Sequence, residues 1–128
     1  MFIQIDFTNE LTIYDQIVRQ IKFAIAGGVI REGELVPSVR ELARELTINP
    51  NTVARAYRAL QDEGILTAVR GTGLAAAEGA GQRCQNERIE LIRNRLHQVL
   101  TEANQSGLAP EELQTLVAQQ LAKLQEEK

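Results

Sequence analysis

The 128 residues contain one cysteine, one histidine and no tryptophan. With Cys84 alone, no disulfide can close within the chain. A zinc site draws on several thiols and imidazoles, and Cys84 with His97 thirteen positions away does not make one. No nucleophile stands with its base, no acidic pair is placed for proton transfer, and no Walker-type phosphate loop occurs. Enzymatic activity, a metal and a cofactor therefore have nothing to rest on. Long apolar runs are lacking as well. No stretch approaches the roughly 20 residues that cross a bilayer. The opening Met1-Phe2-Ile3-Gln4 has neither the basic region nor the apolar stretch of a signal peptide. The expectation is a cytoplasmic protein with no membrane association.

Positive charge is not in excess. The net charge is −3; Met1 to Ala76 holds 8 basic and 9 acidic residues, and Ala77 to Lys128 holds 6 and 8. Neither half is basic overall, so a nucleic-acid partner would have to be met by local clustering. With three Phe and two Tyr, the core must be built from Ile, Leu, Val and Ala. The hydrophobic fraction of 44% is ordinary for a globular protein.

What is present is a succession of amphipathic helices. Thr12 can cap a helix from about Ile13 to Ala26, which Gly27-Gly28 stop. At about 100° per residue, Tyr14, Ile17, Val18, Ile21, Ala24 and Ile25 share one face. Phe23 falls opposite, near Gln16 and Arg19, a position for an exposed ring or for contact with the tail or a second subunit. A second helix follows Pro37, with Ser38 as N-cap and Glu41 as its capping-box partner. Val39, Leu42, Ala43 and Leu46 face inward. Thr47-Ile48-Asn49 forms a turn, and Pro50 suits the start of a third helix ending near Glu63 and Gly64. Its inward residues are Val53, Ala56, Tyr57 and Leu60.

Ile65 to Val69 and Leu74 to Ala76, around Arg70-Gly71-Thr72-Gly73, read as a β-hairpin. Helix, helix, turn, helix and hairpin are the order of a winged helix-turn-helix. Residues 1–76 form that domain, 77–85 a linker of small residues, and 86–128 a two-helix dimerisation segment. In the tail Ile89, Ile92, Leu96, Val99 and Ala103 make a heptad-like seam. After Gly107, Pro110 opens a last helix with a stripe of Leu113, Leu116, Val117 and Leu124. Two helices alone cannot cover both stripes, so a second subunit or the head must supply surface. The fold class is mainly α with a small β-hairpin.

In a helix-turn-helix the third helix enters the major groove. Its outward side carries Asn51, Arg55 and Arg58 within about 60°. Arg can grip guanine and Asn adenine bidentately. Thr52 sits at the helix start, where phosphates bind. Arg40 and Arg44 on the second helix are placed for backbone phosphates, with Ser38 and Asn49 beside the set. No acid lies between Asn49 and Leu60. Arg70 and Gly71 at the hairpin tip suit a wing approaching the minor groove.

Gly33-Glu34-Leu35-Val36-Pro37-Ser38-Val39-Arg40-Glu41-Leu42-Ala43 resembles the head signature of the GntR family of bacterial repressors. Asn49 to Leu60, with Glu63-Gly64-Ile65-Leu66, resembles the recognition helix of its YtrA subfamily, and Tyr14 to Ile21 fits as well. The resemblance spans about Phe2 to Gly73. It implies a homodimer that binds a palindromic operator in double-stranded DNA, usually as a repressor, with DNA contacts at Ser38, Arg40, Asn51, Thr52 and Gly71. Two departures stand out. Ala54 replaces an Arg that many relatives carry, and Leu74-Ala75-Ala76 lacks the usual aromatic, pointing to a short or mobile wing. About 45 residues follow the linker, too few for the ligand-binding domain of larger members, which fits the YtrA type. Nothing requires a small-molecule effector, for which the surroundings of Phe23 and the linker are the place. The alternative is a winged helix used for protein interaction without DNA binding, with Arg55 and Arg58 dispensable.

Overall fold

The computed structural model describes residues 3–127. The chain forms two units, one running to Ile89 and the other starting at Glu90. The first contains α1 (Ile13–Ala26), α2 (Val39–Leu46), α3 (Pro50–Asp62), β1 (Leu66–Val69) and β2 (Gly73–Ala76). Helix α4 (Ala80–Gln105) begins in the first unit and ends in the second, which α5 (Pro110–Glu126) completes.

The helix starts follow the capping chemistry. The Thr12 hydroxyl accepts from the Asp15 N–H at 3.1 Å. At α2 the Ser38 hydroxyl accepts from Glu41 N–H at 3.1 Å, and Glu41 Oε1 accepts from Ser38 N–H at 3.2 Å. Both otherwise orphaned donors are thereby satisfied. The periodic stripes converge on one core, with Ile17, Ile21, Leu42, Val53, Leu60 and Ile65 fully buried. Each such side chain contributes about 1.5–3 kcal/mol relative to exposure.

β1 and β2 pair antiparallel in the register Leu66↔Ala76 to Val69↔Gly73. The segment before α2 adds to the other edge of β2. Leu35 bridges Ala75, Val36 N–H donates to Leu74 O at 2.9 Å, and Gly33 N–H to Ala76 O at 2.8 Å. The strands are short, in keeping with the short wing expected, and the sheet is stitched to the loop that presents α2.

Two features differ from the sequence reading. Gln16, placed on the outer face, is 5% exposed. Its amide accepts from Asp6 N–H and donates to the carbonyls of Asp6 and Leu11, at 2.9–3.0 Å. Gln20 does the same for Gln4, at 2.9 and 2.7 Å. Two side-chain amides thus imitate a neighbouring strand and hold the amino-terminal arm on α1, burying Ile3. A buried amide is tolerated because its hydrogen bonds are satisfied. Phe23, for which an exposed ring and a contact with the tail or a second subunit were both open, is half-buried.

The second difference concerns residues 77–85. Apart from a short turn before it, this stretch is the beginning of α4, and Ala76, Ala80 and Cys84 belong to the core. Small side chains do not fill volume, but they let a helix approach closely, and here they do.

In the second unit, Gly107 adopts a positive φ of 90° and ends α4, with Leu108 N–H donating to Ala103 O at 3.2 Å. α5 opens with Ala109 N–H donating to Glu112 Oε1 at 3.1 Å. No residue of α5 is buried. No helix among the described residues is long and apolar enough to cross a membrane.

Candidate nucleic-acid interface

The geometry of α2 and α3 is set by a short turn and one buried hydroxyl. Thr47 caps α2 in the left-handed region at φ 55°. For a β-branched residue this conformation costs about 1–2 kcal/mol. It is held by Ile48 N–H donating to Ala43 O at 3.0 Å, after which the chain turns directly into α3. Tyr57, 3% exposed on the inner face of α3, donates its hydroxyl to Pro37 O at 2.7 Å. Burial, with the charge of Glu41 in addition, pushes its phenol well above the ordinary range, so it remains a protonated donor. That bond ties the entrance of α2 to the middle of α3.

Asn49 caps α3, its Oδ1 accepting from Asn51 N–H at 2.8 Å, while its amide NH2 stays available to donate. The first turn of α3 has no acidic residue. Asn51, Arg55 and Arg58 are all exposed. Arg55 lies over the ring of Tyr14 on α1, with its guanidinium carbon 5.1 Å from the ring centroid. Such a cation–π contact holds the side chain in place without neutralising it. Tyr14, Arg55, Arg58, Ala59 and Asp62 line one shallow depression, so an acid closes the far end of this face. Arg40 and Arg44 share a second one with Ile48 and Pro50. Ser38 is exposed, its hydroxyl oxygen accepting from Glu41 N–H within the cap. Thr52 is only half-exposed. Arg70 and Gly71 are exposed at the hairpin tip, where Gly71 takes a positive φ of 75°. Thr72 and Gly73, at the end of that turn, line one groove together with Ser38. Among the described residues, the ion pairs join Lys22 to Glu63 and Glu87, and Arg93 to Glu90. None engages an arginine of the helix-turn-helix or the wing.

Residues 13–75 match the family of bacterial regulatory proteins named gntR. The HTH-type transcriptional repressor YtrA of Bacillus subtilis (strain 168) is 38% identical over 111 residues, 87% of this chain and 85% of that protein. The chain belongs to the GntR family. A GntR-family transcriptional regulator from Listeria monocytogenes shares 31% identity and a TM-score of 0.73, over 88% of this chain and 98% of that one. The DNA-binding domain of AraR in complex with operator ORE1 is 26% identical at a TM-score of 0.50, over 58% of this chain and 90% of that one. This GntR-family chain, of the YtrA type, is a DNA-binding transcriptional regulator and not an enzyme.

On the GntR head, the residues read from the sequence fall into two groups. Arg40, Arg44 and the start of α3 adjoin one another, as do Arg55 and Arg58. The ring beneath Arg55 and the Tyr57 hydroxyl bond were not legible. Helical periodicity compares residues within one helix, whereas Tyr14 and Pro37 belong to other segments. One signal for Tyr57 was available: a buried tyrosine hydroxyl ordinarily finds a partner.

The tail residues are also placed. Ile89, Ile92, Leu96 and Val99 are 50–59% exposed, and Leu116, Val117 and Leu124 are 43–56% exposed. Leu113 is half-buried.

Proposed function

We propose that the protein binds a palindromic operator in double-stranded DNA as a homodimer and represses transcription. The tails pair through the stripes of Ile89, Ile92, Leu96 and Val99 on α4 and Leu113, Leu116, Val117 and Leu124 on α5. Phe23 adds to the same contact. The two third helices then enter successive major grooves, about 10 base pairs apart or a multiple of that. Ser38, Arg40 and Thr52 bind phosphates, with Arg44 and Asn49 flanking them. Asn51, Arg55 and Arg58 read base edges, and Arg70 and Gly71 bring the wing to the minor groove. Action on bacterial DNA puts the protein in the cytoplasm.

The observation that carries this reading is the outward face of α3, where Asn51, Arg55 and Arg58 are exposed, free of acids from Asn49 to Leu60 and outside every ion pair among the described residues. Affinity is then local in origin, which reconciles DNA binding with a net charge of −3. Selection of bound sequences from a random duplex pool yields the operator, and titration on it assigns roles. Arg55→Ala should cost about 1–3 kcal/mol on the selected site and relax base preference. Arg40→Ala should weaken binding to every sequence and reduce the salt slope by about 1. Unchanged affinity in both variants would overturn the assignment. Operator release and thermal shift with a metabolite panel test for an effector; silence in both leaves DNA and a second copy as the partners.

A further inference from the structure

The start of α4 lies across the carboxyl ends of α1 and α3. Arg83 Nη2 donates to the Glu63 carbonyl at the end of α3, at 2.6 Å. Gln85 Nε2 donates to the Ala26 carbonyl at the end of α1, at 3.1 Å. These are carbonyls that a helix leaves unpaired, and a cation there also suits the helix dipole. Glu32, from the loop after α1, accepts from Gly79 N–H at 3.0 Å and Gly81 N–H at 3.2 Å, capping α4 from 47 and 49 residues away. Ala80 and Cys84 are buried beneath.

At the centre stands Lys22 of α1. Its Nζ lies 2.8 Å from Glu63 Oε1 and 2.9 Å from Glu87 Oε2, with the lysine side chain 18% exposed. One ammonium thus joins α1, the end of α3 and α4. Burial pulls its pKa down, but the hydrogen bonds and charges of Glu63 and Glu87 more than reverse this, and it is held above the ordinary lysine value. Without that charge, two carboxylates would face each other at a partly buried junction.

We propose that Lys22 is a positioning residue for operator recognition: by joining Glu63 to Glu87 it fixes α4 on the head, so that tail pairing sets the spacing of the recognition helices. The inference rests on the dimeric reading above. It assigns to 77–89 the role of a rigid splint in place of a flexible tether. A tether lets two heads adjust to different half-site separations, whereas a splint does not.

The test compares full-length Lys22→Glu, Glu87→Lys and the double swap on the selected operator, on an isolated half-site, and on the operator with one base pair inserted between half-sites. In the swap, a lysine at 87 again meets acids at 22 and 63. Lys22→Glu and Glu87→Lys are each expected to lose about 10-fold on the full operator, keep half-site affinity and dimer mass, and discriminate less against the insertion. The swap should restore both affinity and discrimination. Lys22→Met, which keeps the aliphatic stem, should act in the same direction and serves if Lys22→Glu fails to fold. Equal losses on half-site and operator, unchanged spacer discrimination, or no rescue by the swap would overturn the role of Lys22. A wild-type protein that sediments as a monomer, or binds operator no better than half-site, would overturn the dimeric reading and this inference with it.

Discussion

Leu60 in the first unit and Leu96 in the second are the same side chain on the apolar stripe of a helix, yet Leu60 is fully buried and Leu96 is 50% exposed. The contrast extends to their surroundings. The first unit closes its core with α1, α2, α3, the sheet and the start of α4, whereas every apolar residue of the α5 stripe stays at least partly exposed. Hydrophobic periodicity reports which face of a helix avoids water. It does not report whether the same chain supplies the cover. For the head it does; for the tail the stripe is left open, and that open stripe is the surface on which the proposed dimer rests.

Substitutions at these two leucines separate the cases. Leu60→Ala removes a packed side chain, and denaturant unfolding should show the head losing about 2–5 kcal/mol, independent of protein concentration. A loss well below 1 kcal/mol would mean that the head core is not closed as described. Leu96→Asp should leave head unfolding intact and instead convert the dimer to monomer in sedimentation equilibrium, with operator affinity falling about 100-fold. An unchanged dimer would move the interface elsewhere and make the two regions less different than they look.

The smallest effect sharpens the comparison from the side of local structure. Ser38→Ala removes the α2 cap and should cost about 1 kcal/mol of head stability in thermal melts. The backbone N–H and hydroxyl of Ser38 hold the Glu41 carboxyl below its ordinary value. For a lowered carboxylate, the stabilisation is present above the ordinary carboxylate range and is lost as pH falls through the shifted value. Glu41→Gln should therefore flatten the acid side of the head's stability profile, while tail pairing, with no such group on its stripe, should be unmoved by the substitution.

The helices and the hairpin were legible because their signals are local. Thr12 and Ser38 bond to backbone three residues on, and the stripes of α1 to α3 repeat within one element. The outward set of Asn51, Arg55 and Arg58 follows from the same arithmetic. Gln16 misled because a polar residue on a helix is ordinarily turned to water. Only the presence of a chain segment with unpaired N–H and C=O groups beside it makes burial favourable. The alanines and glycines of 77–81 misled in the opposite sense, since closeness of packing has no signature in a single sequence.

The sequence by itself therefore determined the order of elements, the caps of α1 and α2 and the polar face of the third helix, all governed by neighbours a few positions away. Tertiary structure alone decided that α4 starts inside the head, that Lys22 bridges Glu63 and Glu87, that Tyr57 holds Pro37, and that Arg55 rests on Tyr14. Those contacts join residues 20 to 65 positions apart. Charge, hydrogen-bond and ring complementarity across such gaps exist only once the core has brought the elements together.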